Sequence, residues 1–271
     1  KWTNIILWKR GYNNNLDGKQ LLYTNGENPE VTELITDDYL YGKPKEILGI
    51  SDRVEHSAGF ASIFDQIYLQ NKFDLKAVFA EFPDLKVKVA SGGKEKRLRT
   101  NIFESLPEVF DVQDNGGELL IHGLDHRTRS SRFIKREFIQ NHKNLDKWKV
   151  LIPKAVTAGF GEKITEPLVV GPGQGYTETF LGFGAFDTEQ EAENMKKYVK
   201  TKFARTLLGV LKMTQDTAPD KWKKVPVQDY SANSDIDWDV SVSELDAQLY
   251  VKYDLSKQDI DFIENNVKPM E

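Results

Sequence analysis

Cysteine is absent from the 271 residues, which excludes disulfides and thiolate metal sites and agrees with a reducing, cytoplasmic setting. Long apolar runs are missing too. No stretch of eighteen suggests a membrane-spanning helix, so no membrane partner is expected. Methionine is scarce, with three in all and the first at Met195, and no signal peptide opens the chain. The expectation is therefore a segment cut from something longer. No serine sits in a Gly-x-Ser-x-Gly turn, which leaves a serine-triad hydrolase without support.

A strong excess of positive charge is also lacking, because the formal net charge is −5. The distribution is uneven. Residues 86 to 154 carry fifteen Lys and Arg against nine Asp and Glu, whereas 216 to 271 carry six against thirteen. Segregation of this kind permits a basic face on an acidic molecule, the field a polyanion would feel. An ordinary uneven surface is the alternative.

What is present is organised around Gly175 to Tyr230. Alternating residues from Tyr176 to Phe183 predict a half-buried strand. Asp187, with Gln190 three residues on, reads as a capping box for a following helix. Ala192, Met195, Val199, Phe203, Leu207 and Val210 then recur at helical spacing, so one long amphipathic helix over 188 to 212 is predicted as core. Lysines and Arg205 surround it, and a short strand is expected at Val225 to Val227.

Taken in order, 2 to 9 and Gln20 to Thr24 predict a hairpin, followed by loop with one short strand at Val31 to Ile35. Helices are expected over Lys45 to Val54 and Asp74 to Glu81, with Ser62 to Leu69 either strand or short helix. Glu118 to Gly123, Trp148 to Pro153 and Leu168 to Val170 read as strands. Ser241 to Tyr250 and Ser256 to Val267 read as helices, the second capped by Ser256 with Asp259. The fold class is α+β: a mixed twisted sheet braced by the long amphipathic helix, with additional C-terminal helices.

Two segments carry chemistry. Ser91 to Asn101 sets Lys94, Lys96, Arg97 and Arg99 beside a glycine pair and ends in Thr100 and Asn101. Glycines let backbone approach a ligand; Arg forks match phosphate or guanine O6/N7, and Asn matches adenine N6/N7. A solvated basic turn is the equal alternative. His126 to Arg136 holds Arg127, Arg129, Arg132 and Arg136 among hydroxyls, the groups from which phosphate contacts are usually built. Lys154, Arg205, Lys212 and Gln215 are outlying candidates for DNA contact.

Other motifs read as structural. His122 and His126 have the spacing of two ligands on a helix face, but no carboxylate-rich frame accompanies them. Gly182-Phe183-Gly184 opens like a dinucleotide loop, yet the third glycine is missing and Asp187 already faces the helix start. No cofactor and no metal are expected for this segment. Glu191, Glu193 and Lys196 can be forced towards a nuclease pattern, but acidic residues in a first helical turn are explained by the macrodipole.

The runs TKFARTLLGVLKMTQDTAPDKWKKVPVQDY (201–230), SDIDW (234–238) and LDAQLYVKYDLSKQDIDFIENNVKPME (245–271) resemble the C-terminal end of type II restriction-modification DNA methyltransferases. These are N6-adenine enzymes with an Asn-Pro-Pro-Tyr active site, some fused to a nuclease. GGKEKRLRTNIFESLPEVF (92–110) and TNIILWKRGYNNNLDGKQLLYTNG (3–26) extend the likeness more weakly. It implies a target-recognition domain over 76–271 and, over 1–75, a hairpin and connecting helices adjoining the parent's catalytic domain. The implied partners are double-stranded DNA and that methyltransferase domain, with S-adenosylmethionine bound by the parent. No Pro-Pro pair occurs here, so the segment is expected to lack its own catalytic centre. A protein-interaction or structural module is the alternative, and a metal-dependent nuclease a weaker one.

Overall fold

The computed structural model describes residues 44–89, 96–116, 118–155, 160–212 and 217–271, with the backbone of strands at 20–25 and 28–33. The chain divides into two compact units, 1–43 and 44–271. In the first, β1 (Gln20–Asn25) pairs antiparallel with β2 (Asn28–Glu33). The strand expected at 2 to 9 lies outside the described residues.

The second unit is α+β, with two mostly antiparallel sheets. Its elements run α1 (Lys45–Glu55), β3 (Ile67–Tyr68), α2 (Leu75–Glu81), α3 (Leu85–Lys88) and α4 (Ile102–Ser105), then β4 (Leu119–Asp125), β5 (Thr128–Ile134), β6 (Trp148–Pro153), β7 (Leu168–Val170), β8 (Gln174–Tyr176) and β9 (Phe180–Phe186). Four further helices follow: α5 (Glu189–Lys200), α6 (Lys202–Leu211), α7 (Val242–Lys252) and α8 (Lys257–Asn266). The predicted strand at 225–227 is only an isolated bridge, Ser62 to Pro226.

One sheet has the order β3-β9-β6-β7, the other β5-β4-β8. Each supports its own core. Val150, Ile152, Leu181 and Phe183 of the first sheet pack with the buried faces of α5 and α6, and Leu245, Leu249 and Ile263 bring in the acidic C-terminal helices. Leu119, Ile121 and Ile134 of the second pack with Phe73, Leu98, Phe103 and Phe138. A smaller cluster of Leu151, Val170, Tyr176 and Phe180 joins the two. Each such fully buried side chain contributes about 1.5–3 kcal/mol of transfer free energy.

The six-residue apolar stripe is completely buried, but it belongs to two helices. Thr201 leaves helical geometry (φ −59°, ψ 148°) and its hydroxyl accepts from the Ala204 N–H. Asp246, reaching across from α7, accepts from the Lys202 and Phe203 N–H groups at 3.0 and 2.8 Å. Those donors are freed only by a break, and a carboxylate near a helix start is electrostatically favoured. The first cap also differs by one residue. Thr188 and Glu191 form the reciprocal box, while Asp187 instead pairs with Lys147.

The glycines at 182 and 184 have packing reasons. A Cβ on Gly182 would stand 2.2 Å from the Tyr176 hydroxyl, and Gly184 has φ +77°. This lies opposite an irregularity between Trp148 and Val150, where a left-handed glycine commonly accommodates a bulge.

Candidate nucleic-acid interface

β8 belongs to one sheet and β9 to the other, so the chain crosses between them at Thr177-Glu178-Thr179. Each residue of this crossing binds a different cation-bearing segment. The Thr177 N–H donates to the His122 carbonyl of β4 at 2.9 Å, the Glu178 N–H to the Leu98 carbonyl at 2.7 Å, and the Thr179 carbonyl accepts from the Lys154 N–H at 2.9 Å. Segments far apart in sequence therefore meet at one end of the three-stranded sheet.

Leu98 anchors the first segment by burial, and the Phe73 N–H fixes the Lys96 carbonyl at 2.6 Å. Lys96, Arg99 and Asn101 are exposed around this anchor. Arg97 is half-buried, with its guanidinium 3.6 Å from the Glu178 carboxylate. Phe103 of α4 then packs under the hairpin: a Cβ on Gly123 would lie 2.8 Å from its ring.

The hairpin β4–β5 closes with Asp125 paired to Thr128, leaving His126 and Arg127 as its two-residue turn. Both have positive φ, 47° and 66°. The His126 N–H donates to Glu104 Oε1 at 2.8 Å, and its Nδ1 lies 2.7 Å from Asp125 Oδ1. Arg127, Thr128 and Arg129 are exposed. Phe103, Pro107, Phe110, Asp125, His126 and Arg132 line a cleft of about 390 Å³.

The remaining candidates divide. Arg132 lies over the Phe103 ring at 5.8 Å, paired with Asp125 and donating to Ser130 Oγ at 2.6 Å. Arg136 pairs with Asp146 beyond the other end of β5, roughly 20 Å along the ribbon. The four hairpin arginines thus do not form one continuous wall. Lys154 is half-buried beside Thr179.

Arg205 and Lys212 are interior groups, and this corrects their surface assignment. Arg205 is 3% exposed; its Nε donates to the Lys200 carbonyl at 3.1 Å and its fork to the Glu162 and Lys268 carbonyls. Burial pushes its guanidinium down to about 10. Lys212 is 7% exposed and burial lowers its pKa as well. Lys94 and Gln215 lie outside the described residues.

His122 and His126 do not converge as ligands, since one sits in a strand and the other at a turn. His122 bonds Gln174 Oε1 at 2.7 Å and Ser131 Oγ at 2.9 Å, and burial lowers its pKa. Glu104, Asp125 and His126 do bring ligand atoms within 4.8 Å of one another. Both carboxylates are already engaged there, by Arg132 and by the turn itself.

Sequence reasoning missed the Thr177–Thr179 crossing and the acids Glu104, Asp125 and Glu178. Three consecutive polar residues, Thr177-Glu178-Thr179, ahead of Phe180 were the one signal in the sequence for the crossing. It also missed Lys149, fully buried in β6, whose ammonium donates to the Lys147 and Gly171 carbonyls at 2.7 and 2.9 Å. Burial pushes it down to about 7. Among the described residues no helix is long and apolar enough to cross a membrane. Comparison of the chain with protein-family models and with curated proteins returns no match.

Proposed function

We propose that this chain binds double-stranded DNA, through the end of the three-stranded sheet where Lys96, Arg97, Arg99, Asn101, Arg127, Arg129 and Lys154 assemble. The observation that carries the reading is the Thr177–Thr179 crossing, which ties three cation-bearing segments to one place. Among the described residues, Glu104, Asp125 and Glu178 are carboxylates at that end. Asp125 is paired with Arg132 and Glu178 with Arg97, so they offset inner cations rather than the exposed Lys96, Arg127 and Arg129. Phosphate contacts by such groups position a duplex and make affinity depend steeply on salt.

The likeness to restriction-modification methyltransferases gives this surface a role: target recognition, in the cytoplasm, for a parent chain whose own domain binds S-adenosylmethionine and transfers the methyl group to adenine. Fluorescence anisotropy with a labelled duplex across a salt series tests the DNA reading. Lys96→Ala with Arg99→Ala lowers affinity about tenfold or more at low salt and flattens the log–log salt slope by about 2. Lys257→Ala, on an acidic helix, is the control and leaves both unchanged. No duplex binding at low salt, or binding that stays flat across the series, overturns the phosphate-contact reading.

A further inference from the structure

We infer that the His126-Arg127 turn is the base-reading tip of this surface, with Arg127 setting sequence preference and Glu104, Asp125 and Arg132 acting as positioning residues. The inference rests on the DNA-binding reading and adds to it a division of labour: Lys96, Arg99 and Lys154 hold phosphates, and the tip enters a groove.

The argument starts from a conformational outlier. A two-residue hairpin turn with positive φ at both central positions is ordinarily Asn-Gly, because those residues adopt left-handed geometry at low cost. Here His126 and Arg127 hold it at 47° and 66°; the third non-glycine with positive φ among the described residues is Asp254. Two adjacent strained residues persist only when their surroundings over-determine them. The surroundings do so. Glu104 takes the His126 N–H, Asp125 takes its imidazole, and Arg132 holds Asp125 from behind while resting on Phe103.

Machinery of this kind is superfluous for closing a hairpin, since Asn-Gly closes it unaided. It is needed if bulky side chains must stand at the apex. The apex is suitably exposed: the His126 side chain is 85% accessible, and Arg127, Thr128 and Arg129 follow it at the surface. A two-stranded ribbon fits the major groove, and Arg there matches guanine O6/N7 with two bonds. Fixing Arg127 on a rigid turn removes the ordering entropy that otherwise weakens such a contact. Arg132, by contrast, has its guanidinium inside this scaffold, so it acts on DNA through the turn.

The test uses the full chain, selection from a random duplex library and the double variant His126→Asn with Arg127→Gly. The variant is expected to melt higher than the wild type, having relieved the turn, while its preference for the selected duplex over a scrambled one falls at least about tenfold. Its salt slope changes by no more than about 1. Glu104→Ala blurs the preference with every cation in place, and Glu104→Gln, still able to accept the His126 N–H, restores it. If the variant binds duplex with unchanged preference, the tip assignment is overturned while DNA binding stands. Selection of no preferred sequence by the wild type overturns it as well. If the wild type binds no duplex at any salt, both readings fall.

Discussion

Arg205 and Arg127 are both candidate DNA contacts by sequence, yet they end in opposite situations. One lies beneath the helices with its guanidinium on three carbonyls; the other stands exposed at a turn. The same contrast runs through the two halves of the 44–271 unit. Around α5 and α6 the cations are absorbed by the fold: Lys200 bonds Glu166 at 3.0 Å, Lys202 bonds Glu264 at 2.5 Å, and Lys197 bonds the Trp238 carbonyl at 2.5 Å. At the sheet end, Lys96, Arg127 and Arg129 remain directed to solvent. A helix packed on several sides has open carbonyls and acids nearby to engage its cations. A two-residue turn has few neighbours, so its charges face outward. Counting basic residues along the chain is therefore a poor guide to which of them a polyanion can meet.

Three measurements break or sharpen this contrast. The largest effect is expected from Arg205→Ala, which leaves three carbonyl acceptors and a void beneath α6. Chemical denaturation should show a loss of about 3 kcal/mol, while duplex affinity of the folded protein is unchanged. A loss of affinity with intact stability would return Arg205 to the interface and erase the distinction.

Next comes pH. Burial pushes the Asp246 carboxyl up to about 6 from its ordinary 3.8, with Glu264 adding to the rise and the Phe203 and Lys202 N–H groups and Arg205 opposing it. Because the folded value is raised, this group's stabilising contribution is fully present below pH 4 and is lost as pH climbs through 6. Its full size is about 3 kcal/mol, of which about 2 kcal/mol is gained between pH 7 and pH 4. Asp246→Asn cannot titrate, so on acidification from pH 7 to 4 the stability difference should move by that amount in favour of the wild type. A difference flat in pH would mean the site is better solvated than its burial implies.

The smallest effect belongs to the first cap. Thr188→Ala removes the acceptor for the Glu191 N–H at 3.3 Å and should lower the melting stability by about 1 kcal/mol. Binding at the sheet end should be unaffected, since helix start and hairpin belong to separate cores.

Much of the fold was legible in the residues. The strands at 148–153 and 168–170 fall where short apolar runs and flanking glycine-rich turns placed them, and Ser241 and Ser256 head their helices with reciprocal caps. The cap at Thr188 was displaced by one because Asp187-Gln190 and Thr188-Glu191 offer the same chemistry in adjacent registers. Asp187 was diverted by Lys147, forty residues away in sequence. The basic 126–136 segment was legible as chemistry but not as geometry. As β5, its side chains alternate, which sends Arg132 to the core face and Arg129 to the other.

The chain alone determined its secondary elements, its buried stripe and its supply of cations, because periodicity and capping act over a few neighbouring residues. Tertiary structure decided where the stripe breaks, which basic side chains are enclosed, and that residues 98, 122 and 154 meet at Thr177–Thr179. Those outcomes depend on partners such as Asp246, Glu104 and Glu178, whose distance along the sequence leaves no repeating trace in it.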